Sequence, residues 1–520
     1  MTIVSDVLTR RSFLLTAGAA GLAASSALAV PHYARRHGSP TFTHGVQSGD
    51  VDTSSGMIWA RADRPVEIAV EYSTTESFTN AMRGPVVKAG RETDFAAKHL
   101  LTELLPDQDI FYRLTATDPY SAHLVSEPIV GRFRTAPLRR RSIRFAWSGD
   151  TAGQGWGIDD VGMKTYSTML LHEPDFLIHS GDTIYADGPI PDEIRLRDGT
   201  VWKNRIVTDE KRQVAQTLDE YRGQWKYNMF DRHVLDFNAQ VPTFLQWDDH
   251  EVLNNWSAST DLRDDPRYPE KDIAVYAGRA MRAFQEMTPI RYVPTEPGRI
   301  FRKIAYGPLL DVFFVDLRSY RTANRGSTEN GLFGWRQADW LRRELLASKA
   351  TWKVIACDMP LGVVLWDDYG NKFGYEGVAD GMNGPPAARE REIADLLTFM
   401  RDNAIRNVVW LTADVHYTAA HHYDPARARF KEFEPFWEFV SGPLHSGTYG
   451  PHPLDMTFGP EVRFIKASGG GADSNLPPSA GLQFFGLVDI DGASEQMTVR
   501  LMDRDDRELW STTLHPAVMS

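Results

Sequence analysis

Four times between residues 143 and 416 a short apolar run stops at a loop rich in carboxylates and imidazoles, and few folds accommodate that pattern. The runs are Ile143 to Trp147, Phe176 to Ile178, Val241 to Gln246 and Asn407 to Thr412. The loops after them read Ser148-Gly149-Asp150, Ser180-Gly181-Asp182-Thr183-Ile184-Tyr185, Trp247-Asp248-Asp249-His250-Glu251 and Thr412-Ala413-Asp414-Val415-His416. A brief apolar run bounded by Gly and Asp reads as a buried strand. Open α/β sheets carry their chemistry just beyond the carboxyl ends of such strands. Gathered at one edge of a sheet, the loops would bring together six carboxylates, two imidazoles and a phenol. So many charges stay together only if cations neutralise them. Asp182 and Tyr185 lie three residues apart, so a helical turn would point both the same way. They would offer a carboxylate able to bridge two cations and a phenolate suited to ferric iron.

Helical periodicity falls between these strands, at Thr165 to His172, Ala274 to Met287, Trp335 to Ala347 and Ala387 to Asn403, with further strands at Leu309 to Asp316 and Trp352 to Ala356. Such alternation predicts a layered α/β domain. The charged, aromatic stretch from Ile190 to Asp236 is expected to be a mostly helical insertion near the site. Upstream the period changes to two. Gly56 to Arg61, Val66 to Tyr72, Phe111 to Thr117 and Gly131 to Thr135 predict a β-sandwich of immunoglobulin or fibronectin type. A chain of 520 residues is too long for one core. The expected layout is a leader over 1–29, a small all-β domain over 41–137 and a catalytic domain over 141–520.

The leader is read from Thr9-Arg10-Arg11-Ser12-Phe13-Leu14-Leu15, a weakly apolar run, and Ala27-Leu28-Ala29 as a cleavage site. It predicts export through the twin-arginine translocation machinery to the periplasm or the exterior. No later stretch is long enough to span a bilayer. Cys357 is the one cysteine, so no internal disulfide can form, and its apolar neighbourhood predicts a buried structural thiol. A formal net charge of −12 argues against a nucleic-acid surface. A monomer is expected.

Two cations about 3.5–4 Å apart can clamp a phosphate ester and activate a water to hydroxide. The oxygen-rich set suits calcium, magnesium or manganese, while Tyr185 and His416 bias one position towards iron. Zinc is less expected, since no His-Glu-x-x-His helix occurs, and serine chemistry lacks a Gly-x-Ser-x-Gly elbow. His250, between Asp249 and a Glu251 expected to orient it, is the candidate to steady the phosphoryl oxygens or protonate the leaving alkoxide. Structural calcium alone, in a non-catalytic cell-surface binding module, would need neither His250 nor Tyr185.

Gly181-Asp182-x-x-Tyr185, Trp247-Asp248-Asp249-His250-Glu251 with Asn254-Asn255-Trp256, and Ala413-Asp414-Val415-His416 resemble the calcineurin-like metallophosphoesterases, and more closely the alkaline phosphatase D family. Gly45 to Asp50, Ile58 to Arg61, Val315 to Tyr320, Phe439 to Pro443 and the leader extend the likeness over nearly the whole chain. The resemblance implies a calcineurin-like layered β-sandwich flanked by helices, behind an all-β N-terminal domain. It also implies a secreted phosphomonoesterase or phosphodiesterase using Fe3+ and Ca2+, with Mn2+, Mg2+ or Zn2+ less expected. By position, Asp182 would bridge the metals, with Asp150, Tyr185 and His416 on the iron side and Asp249 and Asp414 on the calcium side. The family's iron-ligating cysteine has no counterpart in Ser148-Gly149-Asp150-Thr151, so Asp150 is the substitute. The pattern is also similar to secreted phospholipases D of the same fold, which makes a phospholipid an alternative to a small phosphate ester as substrate.

Overall fold

A computed structural model describes residues 38–325 and 331–517; the leader expected over 1–29, with Arg10, Arg11 and Ala29, lies outside the described residues. The period-two segments pair as expected. Phe42–Gly49, Gly56–Ala62 and Ala96–Leu101 form one antiparallel sheet. Met82–Ala89, Val66–Ser73 and Asp109–Asp118 form a second, with Ser121–Val125 and Ile129–Arg134 both pairing on the last of these. Alternate residues Ile68, Val70, Ile110, Tyr112, Leu114 and Ala116 turn inward onto Ile58 and Ala60.

The remainder is built on two large sheets. One has the order Thr243–Leu245, Phe176–His179, Ile143–Ser148, Phe484–Ile490, Met497–Asp503, Glu508–Leu514. The other runs Arg302–Ala305, Leu310–Phe314, Trp352–Ala356, Val408–Thr412, Phe436–Val440, Thr418–Tyr423, Pro460–Lys466. The chain's alternation decides which face each residue takes. Phe145, Trp147, Phe176, Ile178, Val354, Ala356, Val409 and Leu411 fill the space between the sheets. Ala146, Leu177 and Leu245 turn outward under the helices Lys164–Leu170, Leu218–Asn228, Arg232–Asn238 and Ile273–Met287. Ile355 and Trp410 turn outward under Gly334–Ala347 and Glu390–Asp402. This is a layered sandwich flanked by helices. Both faces of its central strands are buried, which is why they read as unbroken apolar runs rather than alternations.

Strands Ile143–Ser148, Phe176–His179 and Thr243–Leu245 are parallel to one another, as are Leu310–Phe314, Trp352–Ala356, Val408–Thr412 and Phe436–Val440. The four acidic loops do not share the edge of one sheet, as the sequence suggests. Three follow strands of the first sheet and one follows Val408–Thr412 of the second, so they meet where the two layers end together. The expected helical insertion is helical only in its second half. Its first half is a hairpin of Glu193–Arg195 with Val201–Lys203 and a 3-10 turn, because Asp198-Gly199 supplies a tight turn. The helix from Leu218 starts at Thr217, whose hydroxyl accepts from the Glu220 amide while Glu220 caps the Thr217 amide in return.

The N-terminal domain is tied to the rest by charge. Arg302 reaches buried Asp50 at 2.8 Å, Arg291 reaches Asp52 at 2.8 Å, and Lys226 reaches Asp94 at 2.9 Å. Among the described residues no helix is long and apolar enough to cross a membrane.

Candidate metal centre and active site

Three of the four acidic loops leave their strands through a turn that only a few residue types tolerate. Asp150 has φ of 67°, Asp182 of 51°, Asp414 of 65° and His416 of 57°, all in the left-handed region that costs an ordinary side chain energy. The stretch from Asp182 to Tyr185 is therefore no helical turn, contrary to the sequence expectation. Gly181, at φ of 100°, makes the reversal possible; a Cβ there would sit 2.5 Å from Cβ of Asp248.

The backbone turns are held by one carboxylate. Glu251 accepts from the amides of Asp182 at 3.0 Å, Thr183 at 2.7 Å, Ile184 at 3.2 Å and Asp248 at 2.7 Å. It clamps two loops, and burial raises it to about 8 against those donors. The sequence reading gave Glu251 the task of orienting His250, and that is corrected here. Asp187 does it, with Oδ1 2.7 Å from Nδ1 of His250 and Oδ2 accepting from the Asn254 amide at 2.8 Å. Burial would raise Asp187, but His250 and these hydrogen bonds outweigh it and hold the carboxylate below its usual range. Burial likewise opposes the charged form of His250, yet Asp187 and then Asp249 lift it to about 10. The pair is thus a carboxylate and an imidazolium, and the His250 ring lies against Tyr185, tilted by 34° with ring centroids 4.3 Å apart.

The nominated residues converge in three overlapping groups. Asp150, Asp182 and His416 offer ligand atoms within 4.8 Å of one another, and so do Asp182, Asp249 and His250, and Asp248, Asp249 and Asp414. Tyr185 joins the first group, its hydroxyl 2.9 Å from Nε2 of His416, which also lies 3.5 Å from Asp150. Nδ1 of His416 faces the carbonyl oxygen of Gly447, an acceptor only. The ring proton therefore sits on Nδ1, and Nε2 carries a lone pair towards Asp150 and Tyr185.

Opposite this, Arg318 is fully buried among carboxylates. It lies 2.5 Å from Asp248, 3.4 Å from Asp358, 3.8 Å from Asp249 and 4.0 Å from Asp414, and it is bonded to Glu376. Burial would raise Asp249, but Arg318 and His250 outweigh it and lower its pKa. His250 eases Asp150 and Arg318 eases Asp414, but too little; burial first, then the neighbouring carboxylates, pushes Asp150, Asp182 and Asp414 all well above the usual range. Burial and then Asp182 and Asp150 raise Tyr185 as well. Both oxygens of Asp150 are shut off from solvent and accept no hydrogen bond among the described residues. Buried carboxylates with idle lone pairs, a phenol and an unprotonated imidazole nitrogen form a donor set that fits metal ions. Sequence reasoning missed Asp187, Arg318, Glu376 and Asp358 as members of the site. Asp187 closes the second acidic loop and Arg318 follows strand Leu310–Phe314, but their partners are distant in the chain and no local spacing gives them away.

A two-layer α/β sandwich with carboxylates, imidazoles and a phenol meeting at the carboxyl ends of its strands has the architecture of the calcineurin-like metallophosphoesterases. Comparison with known proteins narrows this. Residues 145–501 match the PhoD-like phosphatase family, and residues 25–137 match the N-terminal domain of PhoD-like phosphatases. The chain belongs to the PhoD-like phosphatase family and is a phosphoric ester hydrolase. It is 27% identical over 443 residues to alkaline phosphatase D of Bacillus subtilis (strain 168), spanning 79% of this chain and 70% of that protein. The solved structure of PhoD superposes with a TM-score of 0.67 at 21% identity, covering 93% of this chain and 95% of its own. Purple acid phosphatase PPD1 from yellow lupin (Lupinus luteus) seeds gives a TM-score of 0.56 at 14% identity, covering 92% of this chain and 74% of its own.

Proposed function

We propose that this chain is an exported, metal-dependent phosphoesterase hydrolysing phosphate mono- or diesters, with residues 1–29 as its leader, 41–137 as its β-sandwich and 141–520 as its catalytic domain. The observation that carries the reading is the meeting of Asp150, Asp182, Asp249, Asp414 and His416 in overlapping groups with His250 at their side. Asp150, Tyr185 and His416 would hold iron, Asp249 and Asp414 would hold calcium, and Asp182 would serve both. Bound there, the ions would neutralise the phosphoryl oxygens and make a water acidic enough to attack phosphorus near neutral pH.

The chain's own groups supply the rest. His250 carries a proton that Asp187 keeps on the ring, and the nitrogen not committed to Asp187 is placed to pass a proton to the departing alkoxide. Glu251 fixes the loops that carry Asp182 and Asp249, and Arg318 holds the carboxylates of Asp248 and Glu376 in place. Structural calcium in a binding module would leave the His250 and Asp187 pair without a task, which favours catalysis. The test is to purify the exported protein, determine its metals by elemental analysis and assay 4-nitrophenyl phosphate and its bis-ester. Hydrolysis with iron and calcium bound, and visible absorption from a Tyr185 ferric complex, is the expected result. A metal-free protein active on either ester would sink the reading.

A further inference from the structure

The cleft over the carboxylates has a volume of about 500 Å³, and residues of contrasting kind line it. One group is the acidic and imidazole floor already described. The other is a wall of Leu365, Tyr369, Tyr449, Pro451 and His452. No lysine or arginine lines the cleft among the described residues, and the nearby guanidinium groups of Arg318 and Arg321 are fully buried against Glu376.

Two rings of that wall are shaped for contact. Tyr369 is 50% exposed, and its hydroxyl donates to the carbonyl of Val364 at 3.3 Å. What it presents to an incoming molecule is therefore ring, not hydroxyl. His452 lies 5.8 Å from Tyr369 and 5.8 Å from Tyr417 between ring centroids. Its Nδ1 is shut off from solvent with no hydrogen-bond partner among the described residues, and burial lowers the ring to about 4, so it is a neutral plate.

A monoester presents its further charge to the floor, where His250 lies, and leaves this wall unused. A diester brings a second ester arm, which must lie against something. We infer that the Tyr369 and His452 wall seats the retained arm of a phosphodiester, and that the preferred arm is a flat or apolar group such as an aryl or nucleobase-like ring. Aromatic ring pairs contribute about 0.5–1.5 kcal/mol beyond burial, a discrimination of about two- to tenfold. The inference rests on the phosphoesterase reading and adds the class of substrate.

Three esters with the same leaving group test it on the metal-loaded full chain: bis(4-nitrophenyl) phosphate, methyl 4-nitrophenyl phosphate and 4-nitrophenyl phosphate. The quantity read is the ratio of kcat/KM for the bis-aryl ester to that for the methyl ester. Tyr369→Ala and His452→Ala each lower this ratio by more than twofold and up to about tenfold, while Tyr369→Phe, which keeps the ring, stays within twofold of the parent. A ratio within twofold of the parent in both alanine variants overturns the inference, including when activity on both esters falls together. If the parent hydrolyses none of the three esters, the phosphoesterase reading fails and the inference with it; a fixed ratio on an active enzyme removes the wall's role alone.

Discussion

At the scale of single residues, the site separates groups that would hold cations from groups that act on the substrate. Asp182→Asn is expected to lose metal and turnover together, with kcat down by about three orders of magnitude, since metal charge stabilisation is worth several kcal/mol. Elemental analysis of the purified variant checks it; full metal content with activity gone would assign Asp182 another role. His250→Ala is expected to keep its metals and lose about 10² to 10⁴ in kcat. Asp187→Asn should reproduce a weaker form of the same defect, about 10 to 100-fold, because the imidazole loses its orienting partner. Glu251→Gln, by contrast, should destabilise the folded protein, since four amides lean on that carboxylate. Most of the candidate ligands were legible in the sequence because each is a short polar loop after an apolar run. Asp187 was not legible as the partner of His250, since a hydrogen bond across 63 positions leaves no period to detect.

At the scale of elements, strand identity was legible wherever burial is complete on both faces, as in Trp352–Ala356, whose bounds the sequence reading matched. The region from Glu193 to Arg212 was misread because aromatic and charged residues suit a hairpin as well as a helix, and the Asp198-Gly199 turn decides between them. Packing between elements also makes demands that no pattern announces. Gly486, on the strand paired with Ile143–Ser148, lies so close to the Trp147 ring that a Cβ would stand 1.9 Å from it. Gly486→Ala is expected to cost about 1–3 kcal/mol and lower Tm, checked by thermal unfolding with metals present. The helix Glu390–Asp402 begins at another strained point. Asp380, Glu390 and Asp455 bring carboxylate oxygens within 4.8 Å of one another, and burial and then Asp380 raise Glu390 to about 8. A carboxyl raised in the folded state stabilises the fold while it is protonated. That contribution is present below the unfolded pKa near 4.5 and is lost as pH rises towards 8. The Tm of Glu390→Gln relative to the parent should therefore improve between pH 5 and pH 9; a flat difference would show that the three carboxylates do not share a proton.

At the scale of the whole molecule, the two sheets and their helices leave a cleft where like charges are gathered in excess. Protons relieve that repulsion in the absence of metal, because Asp150, Asp182 and Asp414 are all raised. Cations would compete with those protons, so the rise in Tm on adding calcium after chelation should be larger at pH 9 than at pH 6. Binding at a hundred times Kd is worth about 2.7 kcal/mol, enough to read by calorimetry. The division into a β-rich front and an α/β body was legible from the change of period near residue 137. The meeting of two sheets at the site was not, since the sequence shows strands and their ends but not which layer each joins. Asp150, Asp182, Asp414 and His416 are held by left-handed backbone that the surrounding fold imposes. An arriving ion would thus meet a finished cage, and its rate of entry would be set by how fast it sheds its own water. Exchanging one metal for another should then proceed in the folded protein without denaturant and with little change in its circular dichroism.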